Sequence, residues 1–91
     1  MVWKIEFDPA AERELAKLDR TVGRRILKFF TERLAPSENP RSLGAPLRGS
    51  KLGDFWKYRV GKYRIIAHIE DDIVTILVLK IDKRSDVYKR K

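Results

Sequence analysis

The chain has 91 residues, no cysteine, one histidine and a formal net charge of +8. That length fits one domain, residues 1–91, with a single thin core. Disulfides and thiolate metal sites are excluded, and His68 by itself builds no zinc site, so neither a metal nor a cofactor is expected.

The first strand is read from alternation. Trp3, Ile5 and Phe7 point one way and Lys4 and Glu6 the other, the period of a half-buried strand. Asp8-Pro9 then reads as a helix start, with Asp8 as the N-cap and Pro9 at the first helical position. The helix is expected to run to about Leu18, and Asp19 caps a second one. In that second helix Val22, Ile26, Phe29, Phe30 and Leu34 recur at helical spacing, with Arg20, Arg24, Arg25 and Lys28 on the other side. A very short joint makes the pair antiparallel.

Residues 35–54 hold Pro36, Pro40, Pro46, Gly44, Gly49 and Gly53 and are expected to form a long loop. Three strands follow: Phe55 to Val60, Tyr63 to Glu70, and Ile73 to about Ile81. Gly61-Lys62 fits a two-residue type II′ hairpin turn, glycine first. Asp71-Asp72 marks the next reversal and is a turn rather than a metal site. The expected fold is α+β, in the order β-α-α-β-β-β, with two helices on one face of a mainly antiparallel sheet.

The longest apolar stretch, Ile73 to Leu79, is too short to span a bilayer. Met1-Val2-Trp3-Lys4 carries no apolar secretory core, so a cytoplasmic location without a membrane partner is expected. Residues 51–91 carry eleven Lys or Arg against six Asp or Glu, so the positive excess leans toward the C-terminal half. Such a field favours polyanions; a surface that is merely basic and soluble is the plainer alternative.

The hairpin localises this charge. With a two-residue turn at 61–62, Val60 faces Tyr63, Arg59 faces Arg64, and Tyr58 faces Ile65. Trp56, Tyr58, Val60, Tyr63, Ile65, Ala67 and Ile69 share the core face. Lys57, Arg59, Arg64, Ile66 and His68 share the other. Like charges directly opposite each other destabilise a sheet, and a bound polyanion offsets that cost. The alternative is that the long side chains splay into water.

If the last strand lies beside the second hairpin strand, Lys83, Arg84 and Tyr88 return to the Gly61 end. Cations then hold a phosphate while the ring stacks on a base. Which face the last strand's odd positions take stays open, because Val74-Ile76-Val78 and Leu77-Leu79-Ile81 are both apolar. His68 pairs with Phe55, four residues from Arg64, roughly 13 Å at strand rise, and is not expected to be catalytic. Trp3 and Trp56 are read as core.

Several segments together resemble one family. They are Leu47-Arg48-Gly49, Trp56-Lys57-Tyr58-Arg59-Val60-Gly61-Lys62-Tyr63-Arg64, and Lys83-Arg84-Ser85-Asp86-Val87-Tyr88. With Phe7-Asp8-Pro9-Ala10-Ala11 and Leu15-x-x-Leu18, they resemble the RelE-type toxins of the RelE/ParE superfamily over nearly the whole chain. The resemblance implies a toxin of a type II toxin–antitoxin module. It would enter the ribosomal A site, contact ribosomal RNA and cleave the messenger there, and a RelB-like antitoxin would neutralise it. Carried over by position, the catalytic set falls on Lys57, Arg59, Arg64, Arg84 and Tyr88. Lys62, Lys83 and Lys89 would bind RNA.

Two departures stand out. One branch has a second lysine where this chain has Arg59, and many members have Gly-His where this chain has Asp82-Lys83. The implied chemistry needs no metal: the RNA 2′-hydroxyl attacks the adjacent phosphate. Lys57 is the better proton acceptor because arginine stays protonated and because Arg59 and Arg64 favour a neutral lysine. Arg59 and Arg64 would stabilise the phosphorane, Arg84 the leaving oxygen, and Tyr88 would stack. Two rivals share the fold: a ParE-like inhibitor of DNA gyrase, and an inactive module that binds RNA or antitoxin.

Overall fold

The computed structural model describes residues 2–47 and 55–83. Strand β1 spans Lys4–Phe7, helix α1 Pro9–Lys17 and helix α2 Arg20–Lys28. A two-residue strand β2, Ala45–Pro46, precedes β3 (Phe55–Val60), β4 (Tyr63–Glu70) and β5 (Thr75–Lys83). The sheet order is β1-β5-β4-β3-β2. The β1–β5 pair is parallel and the other pairs are antiparallel. The last strand in chain order is therefore the one inserted between first and fourth.

Both expected helix starts form as read. The Asp8 carboxylate accepts from the Ala10 N–H at 3.0 Å, and the Asp19 carboxylate accepts from that of Thr21 at 3.2 Å. Each satisfies a donor that the helix itself leaves open. Gly23 lies against Leu15, so α2 folds back on α1. After Lys28 the helix widens to a π turn over Phe29–Leu34, closed by the Ala35 N–H donating to the Phe30 carbonyl at 2.8 Å. The wider turn keeps Phe30 and Leu34 buried while Phe29 packs at the margin.

The core lies between the helices and one sheet face. Ala11, Ile26, Phe30 and Leu34 meet Tyr58, Ile65, Ala67, Ile69, Ile76, Val78 and Ile81. Phe7 meets Phe30 edge-on at 5.4 Å between ring centres, and Phe29 lies 5.8 Å from Tyr58. Trp3 is buried, and Trp56 packs against the core from a partly buried position.

Two expectations need correction. Residues 35–54 are not loop throughout, because Pro40–Leu43 forms a 3-10 turn and Ala45–Pro46 pairs with Lys57 and Trp56 as an edge strand. Proline is tolerated there since an edge strand has one unpaired side. The last strand begins at Thr75 rather than Ile73. Asp71–Ile73 turns as a 3-10 segment, and Val74, at φ 48°, completes the reversal in the left-handed region.

The face of β5 follows from a bulge. Ile66 pairs with Lys80 but the next residue, Ala67, pairs with Val78, so Leu79 is the extra residue on β5. The inward set is Ile76 and Val78 on one side of the bulge and Ile81 on the other. An inserted residue shifts the alternation by one, and neither simple set of alternate positions describes the strand.

Candidate nucleic-acid interface

The hairpin register is as the two-residue turn dictates. Arg59 pairs with Arg64, Lys57 with Ile66 and Phe55 with His68. Gly61 has φ 60°, and among the described non-glycine residues only Val74 has a positive φ, so Lys62 does not. A positive φ at the first turn position alone is the type II′ pattern. The Arg25 guanidinium lies over this turn, 3.2 Å from where a Gly61 side chain would begin.

The structure brings Lys57, Arg59 and Arg64 onto the sheet face away from the helices. Lys57 and Arg64 are half-buried and Arg59 is exposed. Because β2 pairs only as far as Trp56 and Lys57, Arg59 lies on an uncovered stretch of β3. It lines two shallow grooves. One, of about 330 Å³, runs past Ser42, Leu43, Gly44, Ala45 and Lys57. The other, of about 440 Å³, opens toward Arg25, Lys28 and Arg33 of the helical layer. Cations from the sheet and from the α2 region thus line one groove with Arg59, and Glu32 lines it with them.

The scaffold under Lys57 is tight. A side chain on Gly44 would come within 2.6 Å of the Lys57 carbonyl and 2.7 Å of the Tyr58 ring, so only glycine seats this segment against β3. The buried Tyr58 hydroxyl donates to the Pro40 carbonyl at 2.9 Å. Burial pushes its pKa up to about 12, opposed by the positive charge of Arg41, so at neutral pH it is a donor. Strand β3 is therefore anchored from its inner face while Lys57 and Arg59 point out.

Asp82 is the residue that sequence reasoning missed. It pairs across the sheet with Arg64, on the face opposite the core. Its carboxylate approaches Arg64 at 3.4 Å from Nε and 3.5 Å from Nη2, and Lys80 Nζ stands 3.6 Å away. The signal was present in Asp82-Lys83, but the strand's phase depends on the bulge at Leu79. Three strands therefore present a row of Arg59, Arg64 and Asp82.

The remaining positions divide. Lys62 is exposed in the hairpin turn, and Lys83 is exposed opposite Tyr63, which brings the end of β5 to the Gly61 end of the hairpin. Lys83 shares the face of Tyr63 rather than that of Arg64. Arg48, Gly49, Arg84, Tyr88 and Lys89 lie outside the described residues. His68 sits at the other end of β4, edge-on to Phe55 at 5.5 Å. Asp71 is held by Arg41 through two hydrogen bonds of 3.0 and 2.8 Å, which pull its pKa below the usual carboxylate value. Among the described residues no acidic or histidine cluster has metal-binding geometry, and no helix is long and apolar enough to cross a membrane.

Comparison with known proteins places the fold. A family model described as the ParE toxin of type II toxin-antitoxin system, parDE, matches residues 5–88. The chain is 33% identical over 90 residues to toxin RelG of Mycobacterium tuberculosis, covering 99% of this chain and 100% of that protein. It is 33% identical over 90 residues to the mRNA interferase toxin RelE of Escherichia coli, covering 97% and 92% respectively. Among solved structures, the toxin–antitoxin complex RelBE2 of M. tuberculosis superposes with a TM-score of 0.81 at 28% identity, over 92% of this chain and 100% of that one. The intact E. coli RelBE complex gives 0.72 at 28% identity, over 89% and 95%. The chain belongs to the ParE toxin family of type II toxin–antitoxin systems, and RelE and RelG toxins are its relatives.

Proposed function

We propose that this toxin is a metal-independent endoribonuclease that cuts messenger RNA in the ribosomal A site. The observation that carries the reading is the directly paired Arg59 and Arg64 with Lys57 beside them, on a sheet face turned away from the core. Two cations held opposite each other are costly unless an anion sits between them. A phosphate undergoing in-line attack is such an anion, and its charge grows toward the transition state.

The 2′-oxygen attacks the adjacent phosphorus and the bond to the 5′-oxygen breaks, leaving a 2′,3′-cyclic phosphate and a 5′-hydroxyl. Lys57 takes the 2′ proton, and Arg59 and Arg64 stabilise the phosphorane. Arg84 supports charge on the leaving oxygen, which collects a proton. Tyr88 stacks on the nucleotide, while Lys62, Lys83 and Lys89 contact flanking RNA. No cofactor enters. The ribosome supplies the in-line alignment that a shallow, open face lacks. The site of action is cytoplasmic, and the natural inhibitor is a RelB-like antitoxin whose acidic, amphipathic segment covers the basic face. The relatives named as RelE toxins and RelB–RelE complexes support this reading.

The family model named for parDE toxins favours a second reading, inhibition of DNA gyrase. One experiment separates them. A single messenger is toeprinted free and in a programmed A site, alongside a supercoiling assay. Cleavage only on the ribosome, with normal supercoiling, is the expected result. Intact messengers with blocked supercoiling would establish the gyrase reading instead.

A further inference from the structure

Asp82 has no task in the cleavage scheme, yet it occupies the flank of Arg64 opposite Arg59. A guanidinium offers a two-oxygen group either its end, Nη1 with Nη2, or its side, Nε with Nη2. Asp71 takes the end of Arg41, at 3.0 and 2.8 Å. Asp82 takes the side of Arg64, at 3.4 and 3.5 Å. Arg64 Nε and Asp82 Oδ1 are both shielded from solvent, and neither completes a hydrogen bond. Lys80 Nζ stands 3.6 Å from the second carboxylate oxygen, the one that Arg64 Nη2 also approaches. The contact is close enough to fix orientation and too long to saturate the guanidinium.

We infer that Asp82 is a positioning residue that holds Arg64 side-on against the repulsion of Arg59, leaving the end of its guanidinium to the scissile phosphate. This inference rests on the cleavage reading. Unrestrained, Arg64 would swing away from its like-charged neighbour into water, and each turnover would have to bring it back. Looseness matters as well, because an arginine fully consumed by a carboxylate would have little left for a phosphate. Asp82 also removes one positive charge from the face, so it weakens general attraction to RNA while it improves the geometry of one donor.

That trade gives the test. At saturating programmed ribosomes, Asp82→Asn should slow single-turnover cleavage about tenfold, less than the roughly 100-fold cost of losing a charge-stabilising donor outright. The same variant should bind ribosomes at least as tightly as the wild type, since its net charge rises by one. A merely structural role would weaken both. In an Arg64→Ala background, Asp82→Asn should cost nothing further, because the two act as a unit. Asp82→Glu, which keeps the charge, should recover most of the rate. A side-chain nitrogen spectrum supplies a readout independent of cleavage and of any variant's folding: the Arg64 Nε–H should exchange slowly in the wild type. A wild type that cuts, with Asp82→Asn cutting equally fast, would overturn the inference alone. So would losses that multiply in the double variant, or a rapidly exchanging Arg64 Nε–H. A wild type that leaves every messenger intact would instead remove the cleavage reading, and the role of Asp82 with it.

Discussion

The molecule holds two arginine–aspartate pairs, one between 3-10 turns and one within the sheet, and they are finished to different degrees. Near the Asp71 turn, Arg41 grips Asp71 end-on at 2.8 and 3.0 Å and also lies over the Trp56 ring at 5.8 Å. At the hairpin-turn end, Arg64 meets Asp82 side-on at 3.4 and 3.5 Å and faces another arginine across the strand pair. The first pair ties a 3-10 turn near the loop to the reversal before β5 through two hydrogen bonds. The second leaves Arg64 Nε and Asp82 Oδ1 shielded without a completed hydrogen bond. The difference separates a contact closed within the fold from one that leaves an arginine partly open, and at the other end of β4 His68 Nδ1 is likewise shielded without a hydrogen bond.

The largest expected effect breaks the comparison at its reactive side. Arg64→Ala should cost about 2–4 kcal/mol of transition-state stabilisation, as the loss of an oxyanion donor does, while the folded state is hardly affected. Single-turnover cleavage on programmed ribosomes measures it, with thermal melting as the control. A melting temperature that falls along with the rate would place Arg64 among the structural groups instead.

A smaller effect is expected where β3 is anchored. Tyr58→Phe leaves the Pro40 carbonyl without its donor, at a cost of about 1–3 kcal/mol. The pH dependence sharpens the assignment. The folded pKa of Tyr58, about 12, lies above its ordinary value of 10.0. Its contribution is therefore complete below about pH 10 and is lost as pH rises toward 12. Denaturant unfolding across that window should show the wild type losing stability more steeply than Tyr58→Phe.

The smallest effect belongs to the Arg41–Asp71 pair. Arg41→Gln should leave cleavage unchanged and lower the melting temperature slightly, because an exposed ion pair contributes little. Arg41 depresses the folded-state pKa of Asp71, so the stabilisation is present above the unfolded-state value and disappears as pH falls through the carboxylate range. Wild-type and variant melting curves should converge in acid.

Much of this was legible in the sequence, for identifiable reasons. A two-residue turn beginning with glycine fixes pairing, so the Arg59–Arg64 opposition followed by counting. Asp8-Pro9 and Asp19 marked the helix starts because a carboxylate satisfies donors at that place and no other. The face of β5 was not legible. Its alternate positions are apolar on both sides, and only the extra residue Leu79 decides that Ile81 turns inward and Asp82 outward. Asp82 was missed for the same reason. The edge strand Ala45–Pro46 was hidden by its length, since two residues carry no alternation. The π turn at Phe29–Leu34 was hidden because its stripe resembles that of an ordinary helix.

The position of β5 carries a consequence for how the molecule comes into being. Lys4 pairs with Thr75, and β5 lies between β1 and β4. The strand that joins the first part of the chain to the hairpin is also the last of the described strands to be synthesised. Contacts this distant in sequence make folding slow, because a long stretch of chain must be ordered before they form. During synthesis the early segment and the hairpin therefore have no shared central strand, and the Arg59, Arg64 and Asp82 row has only two of its three members in place. The row is completed only after Asp82 has emerged, so the face that carries it is a late product of synthesis.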